Sequence, residues 1–119
     1  MNKIINAVKP ETVKEKVIVA TSSTTSLNNY LDEENVLECT VSNILICTRY
    51  DETTGENTDY YVIISDKGAY TTQSDNVYEK ISNVLEITMK SDEPTDIKCI
   101  FRKETAKKSG RRFINVLIA

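Results

Sequence analysis

The fold turns on VLECTVSNILICTRY, residues 36–50. Its first half alternates: Leu37, Cys39 and Val41 share one face, and Glu38, Thr40 and Ser42 share the other. That is the period of a half-buried strand. Asn43 then takes the inward phase, and residues 44–47 (ILIC) are apolar on both faces. A bulge or strong bend near Asn43 reconciles the two halves, as small barrels often require.

The strand runs into DETTGEN (51–57), a hairpin turn with Gly55 as the positive-φ residue. DYYVIISDKGAYTT (59–72) returns as a second long strand, with Gly68 inviting a bend or a short turn. SDNVYEKISNVLEITMK (74–90) changes period: Val77, Ile81, Val84, Leu85 and Thr88 form the stripe of an amphipathic helix. Ser74 or Asp75 caps its start, and DEPTD (92–96) breaks it. Two more strands follow, DIKCIFRKE (96–104) and RFINVLIA (112–119), with Gly110 easing the turn between them. Upstream, VIVA (17–20) reads as a first strand and TSSTTSLNN (21–29) as a loop.

The order is thus five strands with one helix between the third and fourth. This predicts a mainly β single domain over residues 1–119, a five-stranded OB-fold Greek-key barrel. Other five-stranded α+β arrangements share the order. Residues 1–14 read as a flexible or edge-strand arm.

Composition narrows the chemistry. The chain has 119 residues, three cysteines and no histidine. Ser-His-Asp and Cys-His sites cannot be built without histidine, and a zinc site would lack its usual ligands. Cys39, Cys47 and Cys99 read as small buried thiols. The acids cluster where loops are expected, as in residues 32–34 and 51–52. No Gly-rich phosphate loop occurs. The expectation is a protein that is not an enzyme and needs no cofactor. No apolar run approaches the roughly 20 residues of a membrane span. Pro10 and Glu11 interrupt any signal-peptide core, so the expected compartment is the cytoplasm.

The charge is unevenly spread. Residues 97–112 carry seven bases against one acid, a local +6, while the other positions sum to −9. A charge run at a hairpin tip is ordinarily a solvated tip. Two features argue for more. The run falls in the loop between the fourth and fifth strands, one of the loops with which OB-folds hold oligonucleotides. Aromatic residues also lie near it, and single-strand binding needs cations for phosphates and rings for bases. The candidate cations are Lys103, Lys107, Lys108, Arg111 and Arg112, with Arg49 and Arg102 lining the same groove. The candidate rings are Tyr50, Tyr61, Tyr70 and Phe113; Tyr61 and Tyr70 stand open between stacking and core packing. Tyr60 and Tyr78 read as core residues. The DNA path would cross the face of the second and third strands.

Two segments carry a family resemblance. SDKGAYTTQSDNVYEKISNVLEI (65–87) places Gly68 and Tyr70 at the close of a strand, then Ser74 and Tyr78 at a helix start. IKCIFRKETAKKSGRRFINVLIA (97–119) is a strand, a Lys/Ser/Gly tip, and an aromatic entering a terminal apolar strand. Both resemble small single-stranded DNA-binding proteins of phages of Gram-positive bacteria. The likeness covers the C-terminal half, and the chain departs from many single-strand binders in having no Trp. It implies an OB-fold and a role coating single-stranded DNA during phage replication. Single-stranded RNA is the chemical near-equivalent, and replication proteins are candidate partners. The family includes monomers and homo-oligomers, so assembly stays open. The rival reading is a protein-interaction module whose basic hairpin only solubilises it.

Overall fold

The computed structural model describes residues 2–8, 13–14, 24–90 and 97–118. The expected strand at 17–20 and the expected helix breaker at 92–96 lie outside them. Among the described residues the chain forms seven strands and two helices, not five strands and one helix. In order these are β1 (Asn2–Ala7), β2 (Thr25–Ser26), α1 (Leu27–Glu34), β3 (Val36–Tyr50), β4 (Asn57–Ser65), β5 (Gly68–Thr72), α2 (Asp75–Lys90), β6 (Lys98–Thr105) and β7 (Arg112–Ile118).

Six strands form one curled path, β2-β5-β4-β3-β6-β7, a half-barrel. β3 is the spine. One edge pairs with β4 from Val41 to Tyr50. The other edge pairs with β6 from Val36 to Thr40 and, further on, with β1. The switch comes at Asn43, where the β3–β4 register shifts by one residue. The bulge leaves a peptide N–H in a dry place, since Asn43 and Ile44 are fully buried. The Asn43 carboxamide oxygen accepts that N–H, from Ile44, at 2.9 Å. A buried donor left unmet costs about 1–3 kcal/mol, which gives a polar residue its reason to sit inward.

The bulge also redistributes the core. Leu37, Cys39, Val41 and Ile44 enter the main core with Ile63, Phe101 and Val116. Helix α1 adds Leu27 and Leu31, and α2 adds Val77, Ile81 and Leu85. Beyond the bulge, Leu45 and Cys47 join Tyr60, Val62 and Ile64 in a second cluster. Alternation puts that cluster on the opposite sheet face. All three cysteines are buried thiols outside any disulfide, and burial raises the thiol pKa of Cys39, and that of Cys99 to about 11.

Two expectations from local pattern are corrected. The Ser/Thr/Asn segment does not continue as loop to residue 29. Ser26 caps α1 by accepting the Asn29 N–H. The helix stops at Asn35, whose φ of 67° is left-handed and whose N–H donates to the Leu31 carbonyl. The acids at 32–34 therefore ride on a helix. The segment 59–72 is two strands, because a turn at residues 66–67 folds β5 back on β4.

The outer edge of β7 is blunted by two amides. Asn76 of α2 donates Nδ2 to the Ile114 carbonyl at 3.0 Å. The Val116 N–H donates to Asn115 Oδ1 at 3.0 Å. Asn115 is itself held, accepting from Lys80 Nζ and donating to Glu104. An open strand edge invites further pairing, and these side chains occupy one of its acceptors and one of its donors.

Candidate functional site

Among the described residues, no strand pairing closes the half-barrel between the β2–β5 edge and β7. A groove of about 760 Å³ opens at that seam. One wall is the start of β7, with Arg112, Phe113 and Ile114; the other includes Ser26, Thr71 and Thr72. Arg49, Asp51, Thr58 and Tyr60 of the β3–β4 hairpin border it, as does Lys103. Hydroxyls recur along the lining, which is polar and apolar in about equal measure, with aromatic rings at its sides.

Of the sequence-predicted residues, the groove brings together Arg49, Lys103, Arg112 and Phe113. It adds Tyr60, which the sequence assigned to the core. Tyr60 is buried in the second cluster, yet part of it lines the groove. The Arg49 guanidinium sits 5.8 Å from the Tyr60 ring centre, within cation–π range. The Tyr60 hydroxyl is buried beside Cys47 without a well-formed hydrogen bond. Burial first, and then Cys47, raises its pKa. The missed signal was alternation: Tyr60 shares a face with Arg49 across the β3–β4 ladder, through Thr58.

Three of the candidate residues sit in packed or paired surroundings. Tyr70 is 6% exposed, packed in the main core edge-on to Tyr30 at 5.4 Å. It opposes Ile63, and that register turns it inward. Tyr61 is half-buried and stacks on Tyr78 at 4.5 Å, under the first turn of α2. Its hydroxyl donates to Asp75 at 2.6 Å. The Tyr61 face of β3–β4 therefore lies against α2, and a strand of DNA does not have it free. Lys103 has a side chain only 10% exposed, ion-paired with Asp32 of α1.

The Tyr61–Asp75 bond has a pH consequence. Donation to Asp75 is the main cause raising the Tyr61 pKa from 10.0 to about 12. A phenol that ionises later when folded stabilises the native state below its unfolded pKa. That contribution is full below pH 10 and is lost as pH rises toward 12. Tyr61→Phe should flatten this part of the stability–pH curve, read from urea midpoints at pH 8 to 11. An unchanged curve would detach Tyr61 from Asp75.

The basic segment divides in two. Lys98 pairs with Glu38 at 3.4 Å, Arg102 with Glu104 at 2.8 Å, and Lys103 with Asp32. Lys107, Lys108, Arg111 and Arg112 are exposed and, among the described residues, meet no carboxylate. Lys107, Lys108 and Arg111 stand on the β6–β7 turn and Arg112 opens β7; the turn closes with Gly110 N–H donating to the Ala106 carbonyl at 2.9 Å. Gly110 has φ 68°, as its place in the turn predicted. Exposed rings flank both hairpin turns: Tyr50 is 49% and Phe113 39% exposed.

Among the described residues, no cluster of three or more His, Cys, Asp or Glu could hold a metal. Nor is any described helix long and apolar enough to cross a membrane. Compared with protein-family models, curated proteins and solved structures, the chain has no match.

Proposed function

We propose that this protein binds single-stranded DNA without strong sequence preference, as a phage-type coating protein of replication. One observation carries the reading: among the described residues, four cations at a single tip meet no carboxylate while their neighbours are neutralised. The tip reaches a groove through Arg112, with the exposed ring of Phe113 beside it. Phosphates would lie along Lys107, Lys108, Arg111 and Arg112. Bases would stack on Phe113 and Tyr50, each stacked base contributing about 1–3 kcal/mol. Arg49 and Tyr60 would form the inner wall. The strand path β5-β4-β3-β6-β7, with α2 between β5 and β6, supports an opened OB-type barrel. The elements β1, β2 and α1 are additions to it.

Each neutralised phosphate of a single strand adds about −0.7 to the log–log salt slope. Four contacts give an expected slope of about −3 for poly-dT, with weaker retention of duplex of equal length. Binding that ignores salt, or duplex bound as tightly as poly-dT, would overturn the proposal. The same titration with poly-U measures discrimination against RNA.

A further inference from the structure

We propose that this protein self-associates, the acidic β3–β4 hairpin tip of one copy docking on the basic β6–β7 hairpin tip of another. The two tips share one build. In the first, Gly55 N–H donates to the Asp51 carbonyl at 2.8 Å, and Asp51 N–H to Glu56 at 2.9 Å. In the second, Gly110 donates to Ala106 at 2.9 Å, and Ala106 to Arg111 at 2.8 Å. Both glycines are left-handed, with φ 72° and 68°. Each turn therefore holds six residues in the same frame, with glycine fifth.

The charges on that frame are opposite. Asp51, Glu52 and Glu56 give the first tip −3, and Lys107, Lys108 and Arg111 give the second +3, with Arg112 adjoining. All seven are exposed. Among the described residues no ion pair joins either tip to a neighbour. Each also has one exposed aromatic at its base, Tyr50 beside Asp51 and Phe113 beside Arg112. An arginine from one tip over the Tyr50 ring of the other adds a cation–π contact. A partner with complementary charge and a matching ring is thus another copy of this chain. The contact joins unlike patches, so it is heterologous. Tip contacts are small, and exposed charges are screened over about 8 Å at physiological salt, so the association is weak and salt-sensitive.

The four cations cannot neutralise acidic tips and phosphates together. Single-stranded DNA should therefore compete with self-association, a clause that rests on the proposed function. The first step does not need it.

Sedimentation velocity of the full chain over a concentration series tests the proposal. Wild type should associate at low salt and weaken by at least about tenfold at about 0.5 M salt. Glu52→Lys with Glu56→Lys, and separately Lys107→Glu with Lys108→Glu, should each be monomeric where wild type associates. Mixed in equal amounts, the two variants should associate again, about as tightly as wild type, because each supplies the intact tip that the other lacks. These positions leave Asp51, Gly55 and Gly110 intact, and circular dichroism melts verify folding. A wild type that stays monomeric at low salt, reversals without effect, or a mixture that does not associate would each overturn the proposal. Association without poly-dT binding supports it while removing the proposed function. Binding of poly-dT by a strictly monomeric protein does the reverse.

Discussion

Replacing Lys107, Lys108, Arg111 and Arg112 together with glutamate is expected to weaken poly-dT binding by about three orders of magnitude at about 0.1 M salt. The size follows from counterion release. A slope of about −0.7 per phosphate makes each contact worth about 0.7 of a decade at that salt, and four contacts worth nearly three. Reversal adds repulsion to the loss. Stability should hardly move, because the four side chains are exposed and such substitutions usually stay within about ±0.5 kcal/mol. Lys98→Glu is the matched control: it also reverses a base of this segment, but one already met by Glu38. Its effect on affinity should be small. A fall below about tenfold for the quadruple variant would remove the tip from the interface.

Phe101→Ala should produce the largest loss of stability, about 3–5 kcal/mol. Phe101 is fully buried and among the largest side chains in the core. It sits on β6 opposite Leu37 on one side and Val116 on the other, so it joins the spine strand to the last strand. Removing the ring leaves a cavity bordered by three strands that are pinned by their ladders and cannot collapse into it. Whole domains have only about 5–15 kcal/mol to lose, so the urea midpoint should drop steeply. A shift below about 1 kcal/mol would mean that the site repacks freely.

Much of the sheet was legible because its signals are local. Asn43 broke the phase of an alternating strand, and the register shift lies there. Gly55 and Gly110 stood between strands in turn-forming company, and both are left-handed. α2 declared itself by a long stripe, and Val77, Ile81 and Leu85 are buried as expected. Helix α1 escaped notice because it is eight residues long, opens in Ser/Thr/Asn sequence, and buries only Leu27 and Leu31. Its signals were the Ser26 cap and the Asn35 stop, both common in loops as well.

The site was less legible because its decisive facts are non-local. Whether Tyr70 faces in or out depends on the length of the 66–67 turn that sets it against Ile63. Arg102 and Lys103 are neighbours in sequence, yet one pairs along its own strand with Glu104 and the other with Asp32. Asp32 is 71 residues away and on an element the sequence did not announce. Composition counts charges but does not say which are already spent on each other.

The divided allegiance of β3 bears on how the chain is made. Its hairpin with β4 is local and can close once Ser65 has left the ribosome. Its first five residues pair with Lys98–Arg102, which arrive much later in synthesis. Until then the edge at Val36–Thr40 and the faces of Leu37 and Cys39 lack their final cover. Nascent chains that expose such edges are the ones that stick to each other. Glu38 and Thr40, on the outward phase of that edge, keep it wetted while it waits.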